Sequence, residues 1–173
     1  MDLKSKIRNV PDFPKQGIMF RDITTLLQDK NALTFIIDQL HAYYKEKNIS
    51  KIVGIESRGF IIGTALAYRL GCGFVPIRKP GKLPFTTYRE EYQLEYGTDA
   101  MEIHTDAIAP GEKVLIHDDL LATGGTISAA CNLVKKMKGE IVGLSFIIEL
   151  SFLQPRKKLH GYDILSLVQY DSE

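Results

Sequence analysis

Apolar positions along this chain follow two spacings that alternate. Leu33, Ile36, Ile37, Leu40 and Tyr44 fall at steps of three and four, the period of one helix face. A helix is therefore predicted over NALTFIIDQLHAYYKEKN, with Asn31 as its N-cap. Short continuous apolar runs form the second class: IVGIE (52–56), GFVPI (73–77), KVLIH (113–117), EIVGLSFIIEL (140–150) and DILSLVQY (163–170). A small-residue helix through Ala67 and Leu70 follows the first run, and another from about Gly125 to Met137 follows the third. Continuously apolar strands alternating with helices predict an α/β fold whose mostly parallel sheet is covered on both faces.

Two stretches depart from this alternation. Residues 1–10 read as a short amphipathic helix stopped by Pro11, and residues 11–30 as an ordered loop with a short strand. Residues 78–104, RKPGKLPFTTYREEYQLEYGTDAMEIH, are rich in charge, Tyr, Gly and Pro. A segment this long inside a compact α/β unit is expected to be a lid, a hairpin arm, or both.

Composition narrows the function by exclusion. The 173 residues suit one domain, 1–173, with a real core. With 22 Lys+Arg against 21 Asp+Glu the net charge is +1, which gives no reason to expect nucleic acid or an acidic membrane surface as partner. Cys72 and Cys131 fit no metal-ligand spacing and read as reduced thiols. MDLKSKIRNV lacks a signal-peptide core, and FIIGTALAYRLGCGFVPI is broken by Arg69 and glycines, so no membrane span and a cytoplasmic location are expected.

The chemistry concentrates in VLIHDDLLATGGTISAA (114–130). Asp118 and Asp119 stand at a strand end, where ligands of parallel α/β sheets bind. The turn Ala122-Thr123-Gly124-Gly125-Thr126 offers successive backbone amides and two hydroxyls at a helix N-terminus, a cradle for a phosphate dianion. A triphosphate P-loop and a dinucleotide fold are poorly supported, because no lysine lies between Asp118 and Thr126 and GxGxxG is absent. Carboxylates repel a phosphate but suit a vicinal diol, each such hydrogen bond contributing roughly 1.5–3 kcal/mol. A ribose 5-phosphate satisfies both halves. An ordinary strand end with a helix cap would explain the Thr and Gly residues, but not two acids in an apolar run.

VLIHDDLLATGGT resembles the phosphoribosyl-pyrophosphate (PRPP) motif of type I phosphoribosyltransferases. His117 departs from it, since that position is more often aliphatic; the imidazole reads as packing or surface decoration. Other segments resemble the adenine-using branch of the family, in the family's order and over nearly the whole chain. These are PDFPKQGIMFRDIT (11–24), ESRGFIIG (56–63), RKPGKLP (78–84), EYQLEYGTD (91–99) and ELSFL (149–153). Glu56 stands where the family more often has Asp, with the charge kept.

The resemblance implies a mostly parallel twisted sheet flanked by helices, a base-binding N-terminal hood (1–30) and a flexible loop or hairpin (78–104). It implies transfer of phosphoribose from PRPP to adenine, giving AMP and pyrophosphate, with Mg2+ held mainly by the pyrophosphate, and a homodimer. Asp118 and Asp119 would take the ribose hydroxyls, and Ala122, Thr123, Gly124, Gly125 and Thr126 the phosphate. Ser57, Arg58, Gly59, Arg78, Lys79 and Lys82 would take the pyrophosphate; Met19, Phe20, Arg21 and Leu150 would enclose adenine. Glu95 would be the catalytic acid/base, with Tyr92, Leu94 and Tyr96 excluding water around it. Two alternatives stay open: a phosphoribosyltransferase for another purine such as xanthine, and a PRPP-sensing transcriptional regulator. The GIMFRDI segment weighs against the first, and the absence of an added basic region against the second.

Overall fold

A computed structural model of the chain describes residues 1–93 and 97–172. At its centre five parallel strands lie in the order β4 (Gly73–Ile77), β3 (Lys51–Ile55), β7 (Lys113–Leu121), β8 (Glu140–Leu150), β9 (Ile164–Tyr170). The chain moves outward from β3 to β4, then restarts on the other side of β3 with β7. The order therefore reverses between β3 and β7, and a crevice opens there at the carboxyl ends.

Alternate strand residues feed two cores. Val53, Val114, Ile116 and Phe146 pack beneath α4 (Gly125–Lys136) together with Met101 and Ile103. Ile52, Leu115 and Ile147 pack beneath α2 (Lys30–Tyr44), α3 (Gly59–Leu70) and the N-terminal segment. Cover on both faces is what the apolar runs predict. Cys72 and Cys131 are free thiols, Cys131 buried in α4. No helix among the described residues is long and apolar enough to cross a membrane.

Four expectations are corrected. Residues 1–10 are not an amphipathic helix. A single 3-10 turn (Lys4–Lys6) leads into β1 (Arg8–Val10), which pairs antiparallel with β2 (Phe20–Asp22). Leu3 and Ile7 are buried at helical spacing, but the Arg8–Asp22 ion pair and the β2 ladder decide the backbone. A short α1 (Thr24–Gln28) follows in the region read as loop. The cap of α2 is Asp29 rather than Asn31: its carboxylate accepts the amides of Asn31 and Ala32.

The fourth correction sets the site. β7 continues past His117 to Leu121, because its ladder with β8 runs on to Leu121↔Glu149 while its pairing with β3 ends at Gly54↔His117. Asp118 and Asp119 thus sit on a strand that overruns its neighbour and walls the crevice. Residues 78–104 contain the expected hairpin, β5 (Thr87–Gln93) against β6 (Thr98–His104), lying along α4.

Candidate active site

A cavity of about 400 Å3 opens at the carboxyl ends of β3 and β7. One wall is the turn into α4, where Ala122, Thr123, Gly124 and Thr126 face the space. No side chain caps this helix, so its first amides remain available to an anion. Gly124 is required twice: its φ is +83°, and a Cβ there would lie 3.1 Å from the Pro155 carbonyl oxygen. Gly125 stands behind the cavity wall, close to the Gln93 carbonyl at the end of β5.

The acids form the floor. Asp119 is buried and accepts a hydrogen bond from Arg58 Nε, forming an ion pair. Asp118 keeps a partial opening to the cavity, and its Oδ1 accepts the Asp119 amide at 2.9 Å. Burial, then the adjacent Asp119 charge, pushes the Asp118 carboxyl well above the usual range, with Arg58 pulling the other way. α3 approaches these acids closely only because residue 59 is glycine. A Cβ there would lie 3.0 Å from Asp118 Oδ1.

The opposite wall is basic. Arg78 and Lys79 follow β4, and Glu56 fixes both: it accepts Arg78 Nε at 3.0 Å and the Lys79 amide at 2.6 Å. Burial alone would raise the Glu56 carboxyl; these two donors outweigh it and hold it below the ordinary value. The Lys79 ammonium meets the Asp99 carboxylate and the Tyr92 hydroxyl. Arg58, Arg78 and Lys79 therefore face the acids and the phosphate turn across one cavity, with Ser57 beside them.

Not every expected residue lines that space. Gly59, Lys82, Met19, Phe20, Arg21 and Leu150 stand outside its walls. Phe20 touches the site through Arg58, whose guanidinium lies 5.2 Å from its ring centre. The Arg21 side chain turns away: it donates to Asn9 Oδ1 at 2.6 Å and stacks on Tyr170, the register partner of Leu150. Glu95, with Leu94 and Tyr96, lies outside the described residues. His117 is packing and not surface decoration; it is fully buried, with Nδ1 3.1 Å from Ser145 Oγ.

Several residues escaped sequence reasoning. Asp99 is one; the period-two alternation of the two strands, which sets it opposite Tyr92, could have found it. Glu149 and Arg156 are others: the buried carboxylate takes two 2.8 Å bonds from the guanidinium and fixes the segment that carries Pro155 against Gly124. No local signal marks that pair. Met101 and Ile127, at the cavity's apolar edge, carry no sequence mark of a site.

Residues 22–167 match the family model for the phosphoribosyl transferase domain. The chain belongs to the phosphoribosyltransferase family. Among similar phosphoribosyltransferases, the adenine phosphoribosyltransferase of Halothermothrix orenii is 59% identical over 169 residues, 98% of this chain and 99% of that protein. The crystal structure of adenine phosphoribosyltransferase from Thermoanaerobacter pseudethanolicus superposes with a TM-score of 0.95 at 52% identity, covering 98% of each chain. The Saccharomyces cerevisiae enzyme, complexed with an imino-altritol bisphosphate and adenine, gives 0.90 at 40% identity over 96% of each chain. The five-stranded parallel sheet with its flanking helices is thus the type I phosphoribosyltransferase fold.

Proposed function

We infer that this chain is an adenine phosphoribosyltransferase: it transfers the 5-phosphoribosyl group of PRPP to adenine and releases AMP and pyrophosphate. The observation that carries the reading is the facing of a phosphate turn, two acids and three cations across one cavity. Those parts match the 5-phosphate, the ribose diol and the pyrophosphate of a single substrate. Relatives of this identity that carry the adenine name support the choice of base.

In the reaction the bond from C1′ to pyrophosphate breaks, adenine N9 bonds to C1′, and the base gives up one proton. Positive charge develops on the ribose as the leaving group departs. Asp118, the freer of the two acids, accepts from the sugar hydroxyls and stabilises that charge, while Asp119 is oriented by Arg58. Arg58, Arg78 and Lys79 with Ser57 receive the leaving pyrophosphate, and Gly59 lets the amides at the start of α3 come close. Lys82, just beyond the wall, adds positive potential. Ala122 to Thr126 anchor the 5-phosphate so that C1′ stays placed.

Phe20 stacks on adenine, backbone groups at Met19 and Arg21 read its edge, and Leu150 closes the far side. Glu95 is the acid/base group. The site's oxygen donors suit Mg2+, and no group of three metal-ligating side chains occurs among the described residues. Asp118 with substrate oxygens is the donor set that fits a hydrated cation of this kind. Bound there with PRPP, such an ion would supply neutralisation of the pyrophosphate charge. A homodimer working in the cytoplasm completes the reading, with no nucleic acid or membrane partner.

Purified protein supplied with PRPP, Mg2+ and labelled adenine, hypoxanthine, guanine or xanthine should form AMP and leave the other bases largely unused. Turnover of another base without AMP would overturn the adenine assignment. Converting Asp118 and Asp119 together to Asn should weaken PRPP binding strongly, and Glu95→Gln should lower kcat more than affinity.

A further inference from the structure

The three cations lining the cavity are each paired with a carboxylate of the chain itself: Arg58 with Asp119, Arg78 with Glu56, and Lys79 with Asp99. The pairs differ in their surroundings. The Asp119 and Glu56 side chains are 6% and 15% exposed, whereas Asp99 is 28% exposed and its partner Lys79 48%. Glu56 is also fixed by a second bond, to the Lys79 amide. The Lys79 backbone is thereby pinned while its ammonium reaches across to the hairpin. There Asp99 Oδ2 accepts both the ammonium and the Tyr92 hydroxyl, and Tyr92 sits directly opposite Asp99 across the β5–β6 ladder. Lys79 and Tyr92 line the cavity; Asp99 stands just behind them.

We propose that Asp99 is a positioning residue whose carboxylate stands in for a pyrophosphate oxygen, holding the Lys79 ammonium at the cavity and yielding it to incoming substrate. This rests on the reading that Lys79 takes pyrophosphate. A half-exposed ion pair is weak, worth roughly a two- to fivefold factor in an equilibrium, so a polyanion can displace it. The same factor opposes every binding event and assists every release. Asp99 therefore holds Lys79 ready while limiting how tightly the product pyrophosphate is kept.

The sign of the effect separates this role from a structural one. Loss of a purely structural contact would weaken ligand binding, whereas removing a competing carboxylate tightens it. Titration calorimetry of magnesium pyrophosphate into the full chain tests this with the parent, Asp99→Asn, Lys79→Gln and the double variant. Asp99→Asn should bind about two- to fivefold more tightly, Lys79→Gln more weakly, and the double variant should match Lys79→Gln alone. Asp99→Ala, which cannot re-form the Tyr92 bond through a side-chain oxygen, should move in the same direction as Asp99→Asn. Unchanged or weaker binding by both Asp99 variants would overturn the proposal, as would a gain that persists without Lys79. If Lys79→Gln alone leaves pyrophosphate affinity unchanged, the pyrophosphate role of Lys79 falls and the proposal with it. AMP synthesis by the parent tests the overall activity separately.

Discussion

Asp118 is surrounded by protein on every side but the cavity, and burial followed by the Asp119 charge lifts its carboxyl well above the ordinary value. A carboxyl raised on folding contributes stability that is full below its unfolded pKa and is lost as pH rises through the folded one. Above its unfolded range Asp118 therefore opposes folding, while its oxygens serve the ribose. Asp118→Asn keeps an oxygen for the Asp119 amide and removes the buried charge. It should raise the thermal midpoint at neutral pH by ~2–4 °C for each kcal/mol relieved, and it should reduce turnover. The stability difference from the parent should close on acidification as Asp118 becomes protonated; a lower midpoint at neutral pH would contradict this. Gly124 presents the opposite case, because its conformation serves both fold and site. Gly124→Ala should lose about 1–2 kcal/mol in denaturant titration from its left-handed backbone alone, with weaker PRPP binding from the displaced turn.

Elements read well from sequence where a run packs against one neighbour, and less well where two neighbours end at different heights. The apolar pattern of KVLIH stops at His117, yet β7 continues to Leu121 because β8 beside it is eleven residues long. Nothing in 114–121 taken alone carries that information. The turn, the acids and the hairpin are legible because their chemistry is local. The ion pairs that set the cations are not, since their partners lie 61, 22 and 20 residues away. The connection from β8 to β9 shows the same limit. Glu149 is 1% exposed and depends on Arg156, while Pro155 supports Gly124. Arg156→Ala leaves a buried carboxylate uncompensated and should cost about 1–3 kcal/mol, less than for a fully buried pair because Arg156 is half-exposed. PRPP affinity should fall with it. An Arg156→Ala protein of unchanged stability would show that water already serves Glu149.

At the scale of the whole molecule, the sheet carries a buried polar contact on its α3 face, His117 to Ser145, between strands that also carry the site. Burial, opposed only in part by the Ser145 backbone, pushes the imidazole from its ordinary 6.5 down to about 4. Nε2 has no hydrogen-bond partner among the described residues, which agrees with a neutral ring. A histidine depressed on folding gives stability that is full above 6.5 and is lost as pH falls toward 4. The maximum loss is about 3 kcal/mol. Asp118, next in the chain, has the opposite sign over its own range, so the parent's acid profile mixes the two. His117→Leu, the aliphatic type more usual at this position in the family, removes one contribution and leaves the other. Its stability at neutral pH depends on how Ser145 is re-satisfied, but its slope does not. Urea unfolding between pH 7 and pH 4 should show the parent losing stability faster than His117→Leu, by about 3 kcal/mol over the full range at most. Parallel profiles would mean that the folded imidazole takes up its proton as readily as the unfolded one, so that burial does not penalise its charge.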